Sequence, residues 1–250
     1  MFAKSLNDVI QYLDEIIHLS IIQKSRLGYF AILYRDMTIA VAQGIENGVF
    51  DDGARMELLD VHFANRYLSA YTAYQNNQSL TSSWRTAFDA SKSDQLSILQ
   101  HLLLGINAHI QLDLGISAAA ISDQNNIHLL KNDFEKINIV IADVYNQFQR
   151  KLKKITWLVM LLRDMNPQKA DAVLNFSMSK VRDLAWNYAL VLSETNDEID
   201  IEIIQQADIM VNTVANKILN PGTISKWILH WMLKTEQKDI GKNLTILSSV

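Results

Sequence analysis

The chain contains no cysteine, which excludes disulfide staples, thiol nucleophiles and thiolate metal sites. Proline occurs only twice and glycine eight times in 250 residues, so turn punctuation is sparse and long helices are expected. No stretch alternates apolar and polar residues between turn signals, which leaves β-structure without support. Charge is thin and nearly balanced, with 23 Lys and Arg against 27 Asp and Glu and a formal net charge of -4. The one basic cluster, Arg150-Lys151-Lys153-Lys154, reads as a solvated helix face, and nucleic acid is not an expected partner. The opening MFAKSLNDVIQYLDE has no basic segment leading into an apolar run, so no secretory signal is expected. The most apolar long stretch free of Asp, Glu, Lys and Arg, 95–112, still carries Gln100, His101, Asn107, His109 and Gln111, which argues against a membrane span. A soluble cytoplasmic protein is expected.

Familiar site motifs are missing as well. There is no HExxH, GxSxG, P-loop or dinucleotide fingerprint. A ferritin-like di-iron site needs two inward Glu-x-x-His pairs; the single one, Glu15 with His18, projects away from the stripe of Val9, Leu13 and Ile16. Asp51-Asp52-Gly53 reads as a loop turn rather than an aspartate-rich metal motif.

What is present is helical periodicity, in a chain whose 49% hydrophobic content can bury a sizeable core. Leu27, Phe30, Tyr34, Met37 and Val41 form one stripe, and Met56, Leu59, Phe63, Tyr67 and Ala70 another. The segment 46–53 reads as a loop and NNQSLTSS (76–83) as a polar connector whose serines can cap the next helix. Asn132 and Glu135 have capping-box spacing. Phe134, Ile137, Ile141, Val144, Phe148, Ile155, Leu158 and Leu162 then predict one very long helix, stopped at Asn166-Pro167. Two or three helices follow, from about Gln168 to Leu192 and past an acidic loop to Leu219, and Asn220-Pro221 fits a further helix start. No linker divides the chain. The prediction is an all-α, single-domain multi-helix bundle over 1–250 with one very long helix.

The segment 100–114, QHLLLGINAHIQLDL, carries two histidines and an aspartate in an apolar run, and buried ionisable groups are costly unless paired. At about 100° per residue, Gln100, Asn107 and Gln111 fall within about 40° of one another and mark a solvent-facing strip. His109 and Asp113 lie opposite, four residues apart and pointing inward. Three readings stay open for them: a structural His–carboxylate bond, a pair of metal ligands, or acid–base work with Asp113 orienting His109. His101 is about 80° away from His109 and two turns earlier, and shares a metal with it only if the helix breaks, for instance at Gly105. Asp60 falls at the centre of its helix's apolar face, where a carboxylate needs a cation or donors. With His109 and Asp113 it makes a three-ligand set for one divalent metal ion. Arg182 is a candidate to balance that charge, with Trp186 one turn on and in reach of guanidinium–indole stacking. Asp133 reads as a charge favoured by a helix N-terminus, and Trp227 and Trp231, on one face, as packing residues.

The blocks GYFAILYRDMTIAV (28–41), FDDGARMELLDVHFANRYL (50–68), QHLLLGINAHIQLDLGIS (100–117), NDFEKIN (132–138) and VRDLAWNYA (181–189) resemble an uncharacterised bacterial helical family, a domain of unknown function. That resemblance implies a common site and no particular reaction. The inward His109-x-x-x-Asp113 also resembles the helix-borne ligand pairs of zinc-dependent phospholipases C, although the further His and Asp ligands and the His-x-x-x-Glu partner pair are missing. The expectation is an enzyme whose buried His109, Asp113 and Asp60, with or without a metal, act on a small, partly apolar substrate, with His101 and Arg182 binding or orienting it. The alternative is a non-catalytic helical module that binds a small molecule or a partner protein, with these groups as structural pairs.

Overall fold

The computed structural model describes residues 1–122, 126–155, 178–195 and 197–249. Among the described residues there are eleven α-helices and no strand. Helix α1 (Leu6–Gln23) opens on a capping box between Ser5 and Asp8 and ends at Lys24 in the left-handed conformation, burying Val9, Leu13, Ile16 and Ile17 as the spacing predicts. It packs on α2 (Gly28–Glu46), whose Phe30, Tyr34 and Val41 are buried. The Asp52 side chain accepts the Arg55 N–H at 2.9 Å to start α3 (Gly53–Gln75), which buries Met56, Leu59, Phe63 and Tyr67. The polar connector ends at α4 (Ser82–Ala90).

The centre of the molecule is a continuous helical rod from Ile98 to Ala120. It comprises α5 (Ile98–Ala108), a π-helical turn (His109–Asp113) and α6 (Leu114–Ala120). This is the one described helix long and apolar enough to cross a membrane by length and composition, and 78% of its most apolar window is buried inside the fold. Helices α2, α3 and α4 pack around the rod, α8 (Met178–Ser193) lies on α6, and α9 (Asp197–Leu219) covers α4 and α5. Helix α10 (Thr223–Thr235) follows Gly222, so Pro221 lies before the helix rather than at its first position. Helix α11 (Ile240–Ser248) returns to α1 and α2.

Helix α7 (Ile127–Lys153) is 27 residues long and closes at Lys154, against 23 residues each for α3 and α9. The single very long helix is therefore not found among the described residues, and Leu158, Leu162, Asn166-Pro167 and the start placed near Gln168 fall outside them. Asn132 sits inside α7 rather than capping it, and its side-chain amide donates to Asp51. Asp133 is buried at 0% exposure and accepts the backbone N–H groups of Asp51 and Asp52 at 2.7 and 2.9 Å, so it latches the 51–53 turn instead of a helix start.

The strip of Gln100, Asn107 and Gln111 does not face solvent. Gln100 Nε2 donates to the Ile218 carbonyl and Asn107 Nδ2 to the Val211 carbonyl, both at 2.9 Å, while Gln111 donates to Asn107. Helix α9 covers this face, and the amides form a polar seam with it. Two N-termini are likewise capped from a distance. Asp208 of α9 accepts the N–H groups of Ser82 and Ser83, replacing the self-capping expected of the connector. Both Glu236 oxygens accept the Ile98 N–H at 3.1 Å. Trp227 and Trp231 are exposed by 64% and 46% and meet each other at 6.0 Å, so they do not pack into the core.

Candidate functional site

Four elements bring polar side chains to one small cavity: α2 carries Tyr34, α3 Asp60, the π-helical turn His109 and α8 Arg182. Its volume is about 80 Å³, and Phe30, Leu33, Met56, Leu59, Phe63 and Ile137 supply much of its apolar wall. A water molecule requires roughly 10–15 Å³ by this measure, so the space admits several waters or a small organic molecule. A few convergent polar groups in an apolar wall is the general profile of a ligand site.

His109 is fixed on every side. Its Nδ1 lies 3.3 Å from Asp113 Oδ2, Phe63 stacks flat on the ring with centroids 3.6 Å apart and planes 5° apart, and Tyr34 meets it edge-on at 4.4 Å. Asp113 also accepts Arg66 Nε and Trp84 Nε1, each at 2.8 Å. Burial would raise the Asp113 carboxyl, but Arg66 and then His109 outweigh it and hold the group below the usual carboxylate range. Burial lowers the His109 pKa further than the Asp113 carboxylate raises it. The imidazole is therefore neutral at pH 7. An ionised carboxylate only accepts, so Nδ1 carries the proton and Nε2 the lone pair. Nε2 is buried and has no hydrogen-bond partner among the described residues.

His109 and Asp113 are the first and last residues of the π-helical turn. Its closing bond runs from the Leu114 N–H to the His109 carbonyl, one residue wider than the α-helical bond, a distortion often found at functional sites. Gly105, one turn before, has no room for a Cβ, which would sit 2.4 Å from Phe30 Cγ. Phe30 in turn packs edge-on against His109 at 5.7 Å.

Asp60 is the second carboxylate, in an opposite environment. Burial pushes its pKa up to about 7, with Arg182 pulling the other way, and Oδ2 has no partner among the described residues. Arg182 donates from Nη2 to the Phe134 carbonyl at 2.6 Å and lies over the Phe134 ring at 4.4 Å. Burial lowers it to about 10, opposed by Asp183 and Asp60, so it stays a cation near neutrality. Its Nε is buried and unpartnered among the described residues. Burial, then Asp60 and Asp113, push the Tyr34 hydroxyl well above its usual range, leaving it protonated.

The structure thus brings Asp60, His109 and Arg182 together and leaves Asp113 outside, behind the imidazole. The three-ligand metal set does not form. His109 and Asp113 aim at each other rather than at a common point, and the Asp113 oxygens are already committed to three donors. Among the described residues no group of three His, Asp or Glu side chains is arranged to hold a metal ion. His101 belongs elsewhere: the helix does not break at Gly105, and the ring packs at 6.0 Å from Tyr29 and lines other cavities beside Arg26. Burial and then Arg26 lower its pKa to about 4. Arg182 stacks on Phe134 instead of Trp186, whose ring takes the Lys131 ammonium at 4.9 Å. Arg66, Trp84 and Tyr34 are the participants that sequence reasoning missed. Arg66 projects to the polar side of α3, where an arginine is expected in solvent, and no spacing rule pairs residues 66, 84 and 113.

Residues 6–221 match the model of a family of unknown function (DUF5995), which takes in every residue of this site. No curated protein and no solved structure matches the chain.

Proposed function

Because the chain belongs to DUF5995, a family of unknown function, we propose its role from the site alone: a general acid–base enzyme acting on a small, largely apolar substrate that carries one polar group such as a carbonyl. His109 Nε2 takes a proton from the substrate. Asp113 keeps the proton of the ring on Nδ1 and stabilises the imidazolium as it forms, while Arg66 and Trp84 hold Asp113 in place. Asp60, titrating near 7, supplies or recovers a proton on the other side of the cavity, a match to neutral pH that general acid–base catalysis favours. Arg182 offsets negative charge developing on the substrate. The observation that carries this reading is that His109 and Asp60 line one cavity, while His109 Nε2 and Asp60 Oδ2 are both buried and both without a partner among the described residues. We read the chain as one domain built around that cavity.

Proton abstraction is testable without the natural substrate. Small ketones in deuterated water exchange their α-protons by base catalysis, and NMR follows the exchange. Wild-type protein accelerates it, and His109→Gln lowers the rate by about 100-fold or more. Wild-type exchange no faster than that of His109→Gln sinks the proposal. The three-donor saturation of Asp113 favours one second reading, a structural His–Asp pair in a non-catalytic binding module. Under that reading Asp113→Asn costs several kcal/mol of stability, and no variant changes an exchange rate that was never raised.

A further inference from the structure

On the far side of Asp113 from His109 lies a second, larger cavity of about 500 Å³, between α3 and the residues that lead into α4. Arg66 lines it with one nitrogen committed: Nε donates to Asp113 at 2.8 Å, and among the described residues no acceptor engages its other two nitrogens. A guanidinium is a planar fork that can hold one carboxylate through Nε and offer its remaining N–H groups to a second oxyanion. Thr81 and His62 also line this space, and Thr81 Oγ1 and His62 Nδ1 are each buried at the atom and without a partner among the described residues. Burial and Arg66 lower the His62 pKa, so its ring is neutral at pH 7 and can donate from one nitrogen. Asp113 is the sole carboxylate in the lining, and its charge is met by Arg66 and its oxygens by three donors. The rest of the lining includes the apolar surfaces of Ala70, Ala73, Leu80 and the Trp84 indole.

We infer that this cavity binds a small organic acid, with its oxyanion on the free nitrogens of Arg66 and the Thr81 hydroxyl and its apolar body against Leu80 and Trp84. The charge-assisted, forked contact selects the anion, and the apolar wall selects against a bare inorganic ion. This inference shares Arg66 and Trp84 with the acid–base reading but uses neither His109 Nε2 nor Asp60, so the two can fail separately.

Calorimetric titration of the full chain with benzoate, benzamide and inorganic phosphate tests it. Benzoate binds, and benzamide and phosphate bind at least about tenfold more weakly, a difference of ~1.4 kcal/mol. The Trp84 indole N–H resonance, assigned with Trp84→Phe, shifts with benzoate. Arg66→Gln abolishes binding. Thr81→Val removes an unpartnered hydroxyl and no hydrogen bond, keeps the fold, and weakens benzoate by roughly fivefold, so it decides the matter if Arg66→Gln fails to fold. No heat with benzoate, equal affinity for benzamide or for phosphate, or benzoate affinity unchanged in a folded Thr81→Val overturns the inference. So does benzoate binding that is lost in Asp60→Asn and kept in Thr81→Val, which would place the acid in the inner cavity.

Discussion

Asp60 and Asp113 are the same side chain in two opposite environments. Asp113 has three donors, one of them a guanidinium, while Asp60 has apolar walls and a cation that is not in direct ion-pair contact. The difference makes a signed prediction. In the native state Asp60 titrates near 7, whereas an unfolded aspartate titrates near 3.9. Between those values the native protein keeps a proton that the unfolded chain has released, so the contribution of Asp60 to stability falls as pH rises and is lowest above 7. Asp60→Asn removes that dependence. In urea denaturation the variant is more stable than wild type at pH 8, by at most ~4 kcal/mol, and the gap closes toward pH 4. A gap that is constant with pH would mean that Asp60 is ionised throughout. The inward direction of Asp60, His109 and Asp113 was legible from one-helix projection, because a helix has a fixed period. Their environments were not, since two of the three donors on Asp113 come from α3 and α4 and the cation beside Asp60 from α8.

At the scale of the element, the central rod shows how far periodicity reaches. Its apolar run and its inward pair follow from spacing. The π-helical turn at 109–113 and the amide seam with α9 do not, because both answer to neighbours. A largely apolar rod with one strip of amides looks half-solvated in isolation, and only the covering helix turns that strip into a contact. At Gly105 the rod lies close against α2, with no space for a methyl group against Phe30. Gly105→Ala must push Phe30 away, and Phe30 is both a cavity wall and an edge-on neighbour of His109. Such overpacking costs typically about 1–3 kcal/mol. The expected result is a lowered denaturation midpoint together with displaced His109 ring resonances in NMR. Unchanged stability would show that Phe30 has slack that this packing does not provide.

For the whole molecule, the C-terminal helices matter more to the core than their position suggests. Leu244 and Leu247 of α11 are buried at 0% exposure against α1 and α2, and Glu236 caps the first turn of the central rod. Each buried leucine is worth about 1.5–3 kcal/mol, and loss of the cap about 0.5–2 kcal/mol. Truncation after Pro221 therefore removes a large share of a typical domain stability of about 5–15 kcal/mol. Circular dichroism is expected to show a melting temperature at least 10 °C lower, by the usual scaling of stability with midpoint. An unchanged melting temperature would show that α10 and α11 are an appendage.

The sequence by itself determined the all-α class, the helices from α1 to α4 and their buried stripes, and the inward pair His109 and Asp113 with Asp60 as companion. These follow from residue type and a period of 3.6, which any segment carries within itself. Tertiary structure alone decided that His109 and Asp60 share a cavity with Arg182 while Asp113 stands behind the ring, and that His101 belongs to another part of the fold. It also decided that Arg66, which donates to Asp113, lines a second cavity. Those outcomes depend on contacts between residues that are distant in sequence, and local periodicity carries no information about which helix faces which.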